Sequence, residues 1–220
     1  MRPVPELVVP DAAERDDLGA FVARAVRLDQ AAAVRLRLRR RPGGPAGGRV
    51  DVWVSTPFDT LVTRSVAGSL TPSDLTVTGS ELLAALAIVG GERIDPGPAR
   101  DLLWRSALPP AEGWTFVDQV PASLLNELTE RGVTLAREHV GPQGTPPASL
   151  LDQTVLTVSG AGLDVKVPLR CLFALSGMGF VASDSGEEPV KISATDAWLR
   201  MDARYGAVVR RRHALLPLLV

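Results

Sequence analysis

The stretch 34–54, VRLRLRRRPGGPAGGRVDVWV, decides how the first half of the chain is read. Val34, Leu36 and Leu38 alternate with Arg35, Arg37 and Arg39, the period of two expected of a half-buried strand. RPGGPAGG at 41–48 has the composition of a loop, and its glycines predict a mobile hairpin tip. Val50, Val52 and Val54 then alternate with Asp51, Trp53 and Ser55. Pairing the two runs puts the aliphatic residues on one face. Arg35, Arg37, Arg39 and Trp53 fall on the other. FDTLVTRSVA at 58–67 is rich in β-formers and supplies a third strand.

Working outward, 11–28 reads as an amphipathic helix. Asp11 is the predicted N-cap with Glu14 three residues on, and Leu18, Phe21, Val22, Ala25 and Val26 form its buried stripe. TGSELLAALAIVG at 78–90 predicts a short helix capped by Ser80 or Thr78 and closed by Gly90 and Gly91. GPARDLLWRSALPP at 97–110 predicts another helical turn or two. Pro109, Pro110 and Gly113 mark a break. After it come a strand at 114–120 and a long helix opened by Pro121, with Leu124, Leu125, Leu128, Val133 and Leu135 as its apolar face. A linker at 140–149 and a hairpin turning at Ser159–Gly162 follow. The remainder predicts a short buried helix, LRCLFALSGMG, and two or three closing strands. No internal repeat is convincing. The expected fold class is α+β, mainly antiparallel sheets in meanders and hairpins packed with several helices, in two subdomains, 1–110 and 111–220.

The composition of the 220 residues, 45% hydrophobic and 22% charged, excludes a mainly disordered chain. A formal net charge of −1 gives no global field toward nucleic acid or an anionic membrane, so any basic patch must be local. Lys166 and Lys191 are the only lysines. With abundant Ala, Gly, Pro and Val this points to a high-GC genome, in which Arg fills sites that Lys would otherwise take. The N-terminus lacks the apolar core of a signal peptide, and no window has the length of a membrane span. A cytoplasmic location and no membrane partner are expected.

The residue types needed for chemistry are scarce. Cys171 is the single cysteine, and its apolar flanks predict a small core residue rather than a catalytic thiol. His139 and His213 are the only histidines, which leaves no Cys/His zinc set. The glycine-rich phrases lack the strand–loop–helix context of a phosphate loop. Ser176 in ALSGMG lacks the preceding glycine of a nucleophile elbow. The carboxylate pairs Asp16-Asp17 and Glu187-Glu188 lie in polar settings, where nothing raises a pKa. No catalytic residue, metal ligand or cofactor is expected.

The remaining candidates are basic and aromatic. Arg35, Arg37, Arg39 and Trp53 on one sheet face have the residue types that hold phosphates and stack bases. Arg210, Arg211 and Arg212 form a second cluster near the last strand. The competing reading is structural: arginines on a wet strand face guard against edge pairing and lie flat over aromatic rings.

LGAFVARAVRLDQAAAVRLR at 18–37, PFDTLVTRSVAG at 57–68, the phrases LTVSG, VKVPLR and ALSGMGF between 156 and 180, and RYGAVVRRR at 204–212 resemble an uncharacterised family of actinobacterial hypothetical proteins built from domains of unknown function. The resemblance implies a bacterial cytoplasmic protein and brings no activity or site residue with it.

Three functions compete. The favoured one is a non-enzymatic protein that binds another protein or a second copy of itself, with the apolar ends VPELVVP and ALLPLLV as contact segments. The second is nucleic-acid or anionic-ligand binding through the Arg/Trp face; nucleic acid ranks below protein because the chain is slightly acidic. The third is an enzyme of unrecognised type with a site between the halves.

Overall fold

Asp11 begins the first helix as its sequence predicts. In the computed structural model, which describes residues 4–39, 48–88, 91–138, 147–181 and 188–212, its side chain accepts the Glu14 amide at 2.9 Å. Replacing Asp11 with Ala should cost about 1 kcal/mol, read as a lower urea midpoint.

The chain divides into two units. The first comprises Met1–Pro57 and Leu61–Ala107, the second Phe58–Thr60 and Leu108–Val220. In the first, β1 (Glu6–Val8) leads into α1 (Ala12–Leu28). Then come β2 (Ala33–Arg39), β3 (Gly48–Ser55), β4 (Leu61–Thr71), β5 (Asp74–Thr78), α2 (Gly79–Ile88) and β6 (Arg93–Ile94). The strands β5, β2, β3 and β4 are neighbours in that order, all antiparallel. β4 pairs with β3 over Leu61–Gly68 and then with β1 over Ser69–Thr71, so one long strand turns the corner between two sets of partners. Val34, Leu36, Val50, Val52 and Val62 are fully buried with Leu18 and Val22 of α1. The N-terminal apolar run is part of this core, since Leu7 and Val9 are also fully buried.

The second unit contains β7 (Thr115–Pro121), α3 (Ala122–Glu138), α4 (Ala148–Leu151), β8 (Thr154–Gly160), β9 (Leu163–Pro168), α5 (Leu169–Gly177), β10 (Pro189–Ala194), β11 (Trp198–Ala203) and β12 (Gly206–Arg211). β12, β11, β10 and β7 are antiparallel neighbours, and β8 and β9 form a separate hairpin. Ala161 and Gly162 at the hairpin tip have φ of 49° and 76°, the left-handed pair that matches strand twist. The fold is α+β with mainly antiparallel sheet.

A repeat does emerge, in architecture rather than residues. Four strands feed directly into helices: β1 into α1, β5 into α2, β7 into α3 and β9 into α5. Pro10, Pro121 and Pro168 stand at three of these junctions. There the fixed φ and missing N–H of proline suit a helix start.

Several expectations change. The segment 97–110 holds only a 3-10 turn at Asp101–Leu103, and β5 is a strand that the sequence reading did not assign. Thr78, not Ser80, caps α2, exchanging hydrogen bonds with Glu81. The buried stripe of α3 is Ala122, Leu125, Thr129, Gly132 and Ala136, whereas Leu124 is exposed. A Cβ at Gly132 would come within 2.3 Å of Leu169 Cδ1. Gly132 therefore faces α5, and of the predicted leucines only Leu125 stays buried, while Leu128 and Leu135 are half-buried. The hairpin tip 41–47, the glycine at 90, linker residues 139–146, His139, Glu187, His213 and the ALLPLLV segment lie outside the described residues.

Candidate functional site

The strand register brings each arginine of the first candidate face to a carboxylate. Arg35 lies opposite Thr76 of β5, two positions along each strand from the Arg37–Asp74 pair and so on the same face as Asp74. It grips Asp74 with two bonds of 2.8 Å, Nε to Oδ1 and Nη2 to Oδ2. Those bonds push the guanidinium's pKa further up. Arg37 shares the same carboxylate at 3.3 Å. Arg39 reaches Asp51 on β3 at 3.0 Å, and Asp51 also accepts the Ser65 hydroxyl. Three arginines thus meet two carboxylates, and the charge of Asp101 acts on Arg35 as well.

Trp53 belongs to the same surface by register, paired with Arg35 and Thr63. Only 7% of it is exposed, so it offers no open face for stacking. The ring over which Arg35 lies is Trp104, 5.9 Å from the guanidinium carbon. Sequence reading missed Trp104, which it placed in a helical turn.

Arg210, Arg211 and Arg212 are also engaged, each differently. Arg210 bonds Asp152 at 3.0 Å and lies 3.6 Å from Asp59. Arg211 lies over Trp198, 4.7 Å from its centroid, across the β11–β12 pair. Arg212 donates to the carbonyls of Thr195 and Asp164 at 2.9 and 2.7 Å. Beside Arg210 is an arginine the sequence reading did not single out. Arg170, in the first turn of α5, has a side chain only 7% exposed. It holds Asp152 at 2.7 Å and the Phe58 carbonyl at 2.8 Å, and lies 3.7 Å from Asp59. Phe58 in turn packs edge-on against Phe173, with centroids 5.9 Å apart. This two-arginine, two-aspartate knot balances its own charge.

Cys171 follows Arg170 and is fully buried, which pushes its thiol up to about 12. A neutral, enclosed thiol is a poor nucleophile. Native protein at pH 8 should therefore leave Cys171 unalkylated by iodoacetamide, with full labelling in urea. The raised pKa favours the protonated folded form. Stability should therefore fall as pH rises from about 9, where the unfolded thiol begins to ionise, toward 12, and C171S should flatten that fall.

Two of the other polar candidates have structural partners. Asp17 pairs with Arg64 and Glu188 with Arg204. Ser176 is exposed at the end of α5. Among the described residues no group of three metal-ligating side chains converges, and no helix is long and apolar enough to cross a membrane. An open groove of about 380 Å³ runs along β1 and β6, with the Glu6–Arg93 ion pair in its wall.

Two consecutive α+β units of strand-fed helices and antiparallel sheet thus make up the chain, and the candidate arginines of each are engaged by carboxylates, carbonyls or a tryptophan ring. Residues 2–106 match a domain of unknown function (DUF8010) and residues 109–215 match a second (DUF8185), so the two domain types cover the chain between them. No curated protein matches it significantly. Among solved structures the fold is that of bacterial DNA polymerase sliding clamps. The clamp of Bacillus subtilis is 14% identical with a TM-score of 0.56. The beta sliding clamp of C. crescentus is 12% identical with a TM-score of 0.56. The DnaN clamp of Bartonella birtlesii, bound to griselimycin, is 12% identical with a TM-score of 0.54. The likeness covers 97% of this chain in all three, 67% of the Bartonella chain and 66% of the other two. This chain therefore spans about two thirds of the length of those clamps.

Proposed function

We propose that this is a non-enzymatic bacterial cytoplasmic protein that uses a sliding-clamp-type fold as a docking body for another protein. The observation that carries the reading is the likeness to sliding clamps along nearly the whole chain. The charge pattern favours protein docking over DNA binding. Tracking a phosphate backbone takes several cations free to displace counterions. Here the candidate arginines are tied to aspartates, main-chain carbonyls or a tryptophan ring. Among the described residues the helices carry no basic surplus to replace them. α1 has three acidic and three basic residues, α2 one acidic and no basic, and α3 three acidic and two basic. The one basic residue of α5 is the buried Arg170.

The test is purification of the tagged chain from its host with and without nuclease, followed by titration of the identified protein against the pure chain. A stoichiometric partner retained after nuclease, and rebound from pure components, is the expected result. Partners that all vanish with nuclease would overturn the reading in favour of nucleic acid.

A further inference from the structure

β5 is the last strand of its sheet, yet its outer edge is occupied by a segment that is not a strand. Thr76 turns both backbone groups outward. Its N–H donates to Asp101 Oδ1 at 2.9 Å, and its carbonyl accepts the Arg100 N–H at 2.7 Å. These are the two bonds that a neighbouring strand would make. Here the Asp101 carboxylate takes the place of a strand carbonyl.

The hold on this segment is polar. Leu102 and Leu103 are 92% and 49% exposed, so they give it little apolar anchorage. Trp104 lies under Arg35, and its indole N–H bonds the Ser106 carbonyl at 2.6 Å. The segment's backbone is bound to the β5 edge by the pair of bonds to Thr76, while Arg100 lies 3.9 Å from Glu81 of α2 and Trp104 under Arg35 of β2.

An uncovered edge strand is a template for pairing with another chain. β5 has the residues for this, because Leu75, Thr76 and Val77 carry no charge to repel a copy. An antiparallel pairing of two β5 strands about a two-fold axis at Thr76 sets Asp74 opposite Thr78 and Leu75 opposite Val77. No like charges meet in that register.

We propose that residues 100–104 form a strap that masks a self-pairing edge, and that the released edge takes β5 of a second copy. This inference stands apart from the docking function proposed above. The test compares wild type with D101A and D101N by sedimentation velocity up to about 100 µM, since mass action governs any pairing. D101A removes the acceptor for the Thr76 N–H. D101N keeps a side-chain oxygen that can accept.

D101A should sediment about 1.5-fold faster than wild type as concentration rises, as a two-fold dimer would. D101N should follow wild type. Hydrogen exchange at Thr76 should quicken about tenfold or more in D101A when it is diluted to monomer, because the opened edge has lost its partner. Unchanged sedimentation of D101A would overturn the proposal, as would D101N associating as strongly as D101A.

Discussion

Gly68→Ala should destabilise the first unit by about 3 kcal/mol or more, among the largest effects expected of one methyl group. Gly68 sits on β4 where the strand passes from β3 to β1. A Cβ there would lie 2.0 Å from the Val8 carbonyl oxygen and 3.1 Å from its carbon. Backbone cannot rotate away as a side chain can, so either β1 leaves β4 or the corner straightens. Either move uncovers Leu7 and Val9, both fully buried. Urea unfolding followed by fluorescence gives the number. A midpoint within experimental error of wild type would show that β1 does not approach β4 as described.

Arg170→Ala should cost the second unit about 3 kcal/mol. The loss does not come mainly from stranded charge. Asp59 and Asp152 are 81% and 51% exposed at the side chain, and both keep Arg210 as a partner. What is lost is the bond to the Phe58 carbonyl and the packed volume of a side chain only 7% exposed. Arg170→Lys should recover little, because one ammonium cannot reproduce a planar fork that serves a carboxylate and a carbonyl together. Full recovery by lysine would show that the site needs only a positive charge. The double variant R170A/D152A should lose less than the two single losses combined, because the two residues share one bond network.

The aliphatic half of 34–54 was legible because alternation states burial directly. Val34, Leu36, Val50, Val52 and Val54 are all buried. The first helix and its cap were legible for the same local reason. The fate of the arginines was not. Arg35 meets a carboxylate 39 residues away on a strand that had not been assigned, and no local period reports such a pairing. β5 itself is five residues long and runs directly into α2, so its strand signal was absorbed into the turn and helix beside it.

The apolar face of α3 was misread for a packing reason. Helix periodicity favours the largest hydrophobic residues, but close approach to α5 selects Gly132 and Ala136. Arg170 was overlooked because a charged residue in an apolar helix reads as the solvent side. Its first turn instead faces two aspartates and a carbonyl. The clamp-type fold was not legible either, since at 12 to 14% identity only the order of strands and helices carries the likeness.

The central claim is that, among the described residues, the arginines of the two clusters serve the fold rather than a nucleic-acid surface. Its most direct test is the fluorescence anisotropy of labelled duplex and single-stranded DNA, titrated with the full chain at low and physiological salt. The account predicts no saturable binding up to about 10 µM at physiological salt and no steep salt dependence. Saturable binding whose logarithm falls with the logarithm of salt at a slope of about −3 or steeper, and which R35A/R37A/R39A removes, would contradict it.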